Sequence, residues 1–331
     1  MEKESNNKSR VLIVGATGFM GRKIARASLA AGHPTSLLHR PDMKPREIEK
    51  VQTLLQLKAT GARLIPVSFD DHLGLVKAVS EADVVISALN GPTMASLQLK
   101  LVDAIKEAGN VKELLGFKRR NFQPSLFDKR FLPSEFGTDP SRMAHAIAPG
   151  NAVFIDKMEV RKAIEQACIP FTYISANFYM AYSVANLAQL EKLFPPRESV
   201  VLYGDGNIKS IYLDEDDVAT YTIKTIDDPR TLNKTVYLRP PENILSQREV
   251  VEEWEKLIGK ELHKTSISAH DFLALIPEKE LPDQIGIAHF YHFFYEGCLA
   301  NFEIGEGSEE ASILYPEVNY TRVRDYLKRY L

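Results

Sequence analysis

Gly15, Gly18 and Gly21 stand three apart in the run Gly15-Ala16-Thr17-Gly18-Phe19-Met20-Gly21, with the apolar tetrapeptide Val11-Leu12-Ile13-Val14 before it and a helix predicted over 22–31 after it. Glycine at such places lets a backbone turn tightly and approach a pyrophosphate, whose charge then rests on the free amides and positive dipole end of the helix. Alone, the triplet reads as an ordinary tight turn; the strand before it and the helix after it make it a dinucleotide site. Which nucleotide follows from the end of the next strand, 35–39. Proteins selective for NAD place a carboxylate there, whereas this chain has His39-Arg40-Pro41 and, farther on, Lys50. Arg40 can grip a ribose phosphate with two parallel hydrogen bonds, so the expected cofactor is NADPH.

Hydride chemistry with such a cofactor usually needs a proton-transfer group. None of the 13 tyrosines has a lysine four residues on, which removes the common tyrosine-lysine arrangement. Another candidate is Lys157, about twenty residues past Pro133-Ser134-Glu135-Phe136-Gly137, near the start of a helix predicted over 156–167. Read without other information, it is equally a surface lysine in a first helical turn, an unfavourable dipole position. His289 and His292 lie in Ala288-His289-Phe290-Tyr291-His292-Phe293-Phe294-Tyr295. That pattern suits a core aromatic stripe, and it also suits the wall of a pocket for a flat phenol. No third ligand accompanies the two histidines in the sequence. Cys168 and Cys298 form no CxxC or Cys/His cluster, so no metal site is expected.

The elements that must position these residues alternate. Short apolar strands at 11–14, 35–39, 62–67, 84–88, 131–133 and 170–174 are interleaved with amphipathic helices. That rhythm predicts an α/β doubly wound parallel sheet of Rossmann type. Beyond it the rhythm changes: 200–213 reads as a hairpin turning at Tyr203-Gly204-Asp205-Gly206-Asn207, and Ser246 with Glu249 forms a capping box for a helix stopped by Gly259. We expect a nucleotide-binding domain over 1–175 and a smaller, mainly substrate-binding α/β part over 176–331, with some segments returning to the first. The chain has 331 residues, 44% hydrophobic and 26% charged, with a net charge of −3. Such a balance argues against nucleic-acid binding, and no apolar run approaches the roughly 18 residues of a membrane span. The polar N-terminus lacks the apolar core of a secretory signal, giving a cytosolic expectation.

Several stretches resemble the plant pinoresinol–lariciresinol reductases, within the NmrA-type, isoflavone reductase-like group of atypical short-chain dehydrogenases. They are 14–21, Arg40-Pro41, Glu49-Lys50, 98–102, 131–137, Lys157-Met158, 203–207, 214–218, 239–243 and 289–297, almost end to end. The resemblance implies a reductase in which Lys157 is the general base, residues 15–21 with Arg40 and Lys50 bind NADPH, and His289 contacts substrate. Ser87, Asn177 and Tyr179 are also assigned to the cofactor. The implied substrate is a small phenolic lignan, and the expected association is at most a homodimer. Phenylcoumaran benzylic ether reduction, isoflavone reduction and non-catalytic NADP sensing are the alternative readings. Residues 113–129 stand out as an extra segment without a counterpart in the group; Phe117-Lys118-Arg119-Arg120 within it is read as part of a solvated loop.

Overall fold

The computed structural model describes residues 8–114 and 129–331; the sequence between them, including most of the extra segment, lies outside the described residues. Contacts divide the chain into two units. One holds 1–135, 159–174 and 219–236; the other holds 136–158, 175–218 and 237–331.

The first unit is the expected doubly wound sheet. Strands β1 (Val11–Val14), β2 (Thr35–His39), β3 (Arg63–Pro66), β4 (Val84–Ser87) and β5 (Arg130–Leu132) are parallel in the order β3-β2-β1-β4-β5. Helices α1 (Phe19–Ala30), α2 (Ile48–Ala59), α3 (His72–Ser80) and α4 (Met94–Leu114) make the crossovers. β1 and β4 are buried along their whole length, as the unbroken apolar runs of a parallel sheet covered on both faces require. Leu12, Val14, Val85, Leu101 and Ile105 pack in one core with Phe131 and Ile164. Each such side chain contributes roughly 1.5–3 kcal/mol through burial. After α5 (Ala152–Gln166), β6 (Thr172–Ser175) continues the layer through a parallel bridge of Phe131 with Phe171, and β10 (Lys234–Tyr237) lies beside β6.

Two basic residues directly after the undescribed segment serve helix ends. Lys129 Nζ donates to the carbonyls of Val79 and Ala82, both at 2.8 Å, at the end of α3. Arg130 donates to the Thr225 carbonyl at the end of α7 (Glu215–Thr225), to Thr231 Oγ1 at 3.0 Å and to the Asp228 carbonyl at 3.0 Å. Cations here satisfy orphan carbonyls and the negative dipole end. Lys129, read as the last residue of the extra segment, thus serves the fold, and residues 113 and 114 continue α4.

In the second unit the hairpin expectation fails. β8 (Ser199–Tyr203) pairs in parallel with β12 (His263–Ile267), while β9 (Lys209–Leu213) lies between β7 (Phe178–Tyr179) and β11 (Ile244–Ser246). The turn itself forms, with Gly206 N–H on the Tyr203 carbonyl at 3.0 Å, but Gly204 N–H goes to the Ile267 carbonyl at 2.9 Å. β8 thus keeps its distant partner into the turn, and β9, buried over four of its five residues, takes a central place in the other sheet. Short α6 (Met180–Ser183) follows β7. The capping box opens α8 (Gln247–Ile258) as expected, and Gly259 ends it at φ 64°, a left-handed position suited to glycine. Helices α9 (Ala269–Leu273) and α10 (Leu281–Phe294) complete the aromatic core, where Tyr203 stacks on Phe294 with centroids 5.0 Å apart.

Asp217, in the first turn of α7, accepts the Thr321 amide at 2.7 Å. Burial, followed by the neighbouring Asp214 and Asp216, outweighs that bond and pushes its carboxyl up to about 6. A carboxyl raised above its unfolded value stabilises the fold fully below about pH 4, and that contribution is lost as pH rises through about 6. Asp217→Asn retains an acceptor without the charge. In urea unfolding it should be more stable than the parent at pH 7.5 by roughly 1–3 kcal/mol, with the gap closing at pH 4.5. Equal differences at the two pH values would contradict this.

Candidate active site

In the first unit, residues 15–21 leave β1 and enter α1. Gly15 has φ 84°, and a Cβ there would stand 2.7 Å from the Ala88 carbonyl oxygen; one on Gly21 would stand 2.1 Å from that of Gly15. The turn closes with Gly18 N–H on the Gly15 carbonyl at 2.9 Å. Ala16 and Met20 turn their side chains into the protein and so offer a ligand backbone before side chain, while Thr17 and Phe19 are half-buried. Helix α1 has Gly18 at its N-cap, with no side-chain cap and no acidic residue in its first turn. The free amides and the absence of a competing carboxylate suit a pyrophosphate.

Strand order reverses between β1 and β4, the switch point where such sheets bind ligands. Ser87 sits there opposite Val14, fully buried, its Oγ without a hydrogen bond among the described residues. Such an orphan hydroxyl costs about 1–3 kcal/mol. At the end of β2, Arg40 and Lys50 converge on a residue the sequence reading missed. Glu47 Oε1 accepts from Arg40 Nη2 at 2.5 Å and from Lys50 Nζ at 2.7 Å, while Oε2 takes the Lys44 amide at 3.1 Å. The Lys50 and Lys44 hydrogen bonds hold its carboxyl at about 2. The arrangement is a two-cation clasp already closed on one anionic group.

Gly21→Ala tests the loop. With backbone oxygen 2.1 Å from the new methyl, α1 must move away from the turn, and no flexible side chain can yield instead. NADPH affinity, read by fluorescence titration, should fall by at least about tenfold, roughly 1.4 kcal/mol. Parent-like affinity would show that the turn is not used.

In the second unit, Lys157 lies in the second turn of α5, because the helix starts at Ala152 rather than at Asp156 as expected. It is 8% exposed, unlike the solvated surface lysine of the alternative reading. The structure brings it near His289. Burial, against the Gly150 carbonyl and then with help from the Lys157 charge, lowers the His289 imidazole. A neutral His289 donates from Nε2 to the Gly150 carbonyl at 3.0 Å, which leaves Nδ1 as its acceptor. Phe154 packs on its ring at 5.2 Å. Asn177 and Tyr179 are also in this unit. Asn177, at φ 51°, gives its side-chain amide to the Leu238 carbonyl at 2.6 Å, and the Tyr179 hydroxyl donates to the Phe136 carbonyl. The Tyr179 hydroxyl and the Asn177 backbone amide, which donates to the Gly137 carbonyl at 3.3 Å, brace the backbone around 136–137, and the Asn177 side chain serves Leu238, uses the assignment to cofactor did not foresee.

A Rossmann-type unit with an uncapped glycine turn, and a second unit carrying a buried lysine beside a neutral histidine, define a nucleotide-dependent α/β oxidoreductase. The chain belongs to the NmrA-like family, whose model matches residues 7–116 and 129–327. The unmatched stretch lies within the undescribed segment. A bifunctional pinoresinol-lariciresinol reductase 2 from Thuja plicata is 58% identical, covering 98% of this chain and 99% of that one. Pinoresinol reductase 1 of Arabidopsis thaliana is 55% identical over 100% and 99% of the two chains. Among solved structures, AtPrR2 with NADP+ and (+)pinoresinol matches with TM-score 0.89 and 52% identity, over 98% of this chain and 99% of that one. No helix among the described residues is long and apolar enough to cross a membrane.

Proposed function

We propose that the chain is an NADPH-dependent reductase that opens the benzylic ether of furofuran and furan lignans, taking pinoresinol to lariciresinol and onward to secoisolariciresinol. The observation that carries this reading is end-to-end similarity, at 55–58% identity, to proteins named for that reaction. The chemistry available to the residues agrees with it. In such a lignan a phenol stands para to the benzylic ether carbon. Lys157, as the neutral amine, takes the phenolic proton; electrons move through the ring, the benzylic carbon–oxygen bond breaks, and a quinone methide with an alkoxide remains. Bound NADPH would supply the hydride that the quinone methide accepts at its benzylic carbon, restoring the phenolate. The alkoxide then takes a proton from solvent and the phenolate recovers the one held by Lys157, so each turnover consumes one NADPH and one proton. His289, with Nδ1 as acceptor, suits a substrate hydroxyl. Residues 15–21 hold the pyrophosphate, Arg40 and Lys50 hold the ribose phosphate, and Ser87 lies at the switch point of the same sheet.

One similarity favours a second reading. An isoflavone reductase homolog from Lupinus albus is 58% identical over 98% of this chain and 99% of that one. Separate incubations with NADPH and pinoresinol, lariciresinol, a phenylcoumaran or an isoflavone, followed by chiral chromatography, discriminate the two. Turnover of the first two supports the proposal; turnover of only the phenylcoumaran or isoflavone replaces it. Residence in the cytosol agrees with two unpaired cysteines, Cys168 and Cys298, and a homodimer is testable by sedimentation.

A further inference from the structure

Glu296, two residues past the end of α10, collects both His145 and His292, the histidine that the sequence reading left without a third ligand. Its Oε2 lies 2.6 Å from His292 Nδ1 and 3.0 Å from His145 Nε2, and the two rings meet edge to face at 5.3 Å. The three potential ligand atoms are within 4.8 Å of one another, a spacing that a divalent cation could use. The proton on His292 argues against it. Ile147 N–H donates to His292 Nε2 at 3.1 Å, which requires that nitrogen to be bare. The ring proton is therefore on Nδ1 and is donated to Glu296. A cation on Nδ1 would drive the proton to Nε2, directly against an amide N–H.

What the dyad does hold is the chain leading into α5. The Ile147 carbonyl accepts the Asn151 amide at 3.0 Å, and the Asn151 carbonyl accepts those of Phe154 and Ile155, both at 3.1 Å. His289, one turn before His292 on α10, holds the Gly150 carbonyl. There is no slack in that seat: a Cβ on Gly150 would stand 2.8 Å from the Ala288 Cβ. Burial works to raise the Glu296 carboxyl, but the bonds from His292 and His145 outweigh it and hold it below its ordinary range, so the acceptor is ionised near neutrality. His292 itself is 1% exposed.

We propose that His292, with its tautomer set by Glu296, is a positioning residue for Lys157: it fixes Ile147, and through Asn151 the first turn of α5, at the place from which the lysine reaches substrate. The inference rests on the reading of Lys157 as base. Two conservative substitutions separate its parts. A glutamine can put an amide oxygen near the Nε2 position and keep accepting from Ile147; an asparagine reaches only the Nδ1 position, keeps its bond to Glu296 and abandons Ile147. His292→Gln should hold kcat within about threefold of the parent. His292→Asn should lose about ten- to a hundredfold in kcat, the scale of a misplaced reacting group, with NADPH Kd and lignan KM unchanged. Equal kcat in the two variants, or a loss confined to KM, would overturn the proposal.

Nitrogen-15 NMR of the parent keeps the test independent of how the variants fold. A proton on Nδ1 of His292 near neutral pH is expected; one on Nε2 overturns the proposal, as does stoichiometric Zn2+ binding that His145→Ala abolishes. Hydrogen exchange at Ile147, slow in the parent and His292→Gln and fast in His292→Asn, reads the latch without turnover. With that pattern present and lignan turnover absent in the parent, the base assignment fails, and with it the positioning role, while the latch itself stands.

Discussion

Lys157→Ala is expected to bind NADPH as the parent does and to reduce pinoresinol about a hundred to ten thousand times more slowly, the usual worth of a general base. The loss should fall on kcat, because the amine acts on the phenolic proton in the transition state rather than by adding uniform affinity. His289 gives this outcome a control. Its Nε2 is spent on Gly150 and its Nδ1 is left to accept a substrate hydroxyl, so His289→Ala should raise lignan KM, and any accompanying fall in kcat reports the release of Gly150. Rapid-quench turnover with fluorescence titration of NADPH separates the two effects. A folded Lys157→Ala variant turning over within about threefold of the parent would place the base elsewhere.

The second large effect concerns cofactor choice. Arg40→Ala should weaken NADPH by at least about tenfold and leave NADH unchanged, because a bidentate guanidinium contact to a ribose phosphate has no counterpart in NADH. Glu47 shapes the same experiment. It already occupies Arg40 and Lys50 in the structure, so a phosphate must displace it, and its carboxyl at about 2 gives no relief through protonation at working pH. Glu47→Gln should consequently tighten NADPH severalfold without affecting NADH, with no pH dependence of that gain between pH 6 and 8. Calorimetry on the two variants with both cofactors checks this. Weaker NADPH binding in Glu47→Gln would mean that the carboxylate organises the two cations rather than competing for them.

What could be read from the sequence was whatever depends on neighbours along the chain. The glycine turn was legible because strand, spacing and helix lie within twenty residues, and the capping box at Ser246 because its two halves are three apart. The pairing of β8 was not, since its partner β12 comes some sixty residues later and a turn signal says only that the chain reverses. Lys129 looked like the end of an extra segment; its work on carbonyls of Val79 and Ala82, and that of the neighbouring Arg130 on Thr225, becomes visible only when distant helix ends arrive beside them. Glu47 was in plain view three residues before Lys50, but its charge is opposite to what a phosphate site suggests. Lys157 and His289, 132 positions apart, were linked by family resemblance alone, and the fold supplies the proximity that spacing cannot.

The most direct test of the central claim is transfer of label from NADPH carrying deuterium at C4 of the nicotinamide. With pinoresinol and the intact protein, one equivalent of NADP+ should appear for each lariciresinol formed, with the deuterium at the newly reduced benzylic carbon. Lignan recovered unchanged from a folded, NADPH-saturated protein, or NADPH oxidised with no label in the lignan, would contradict the account.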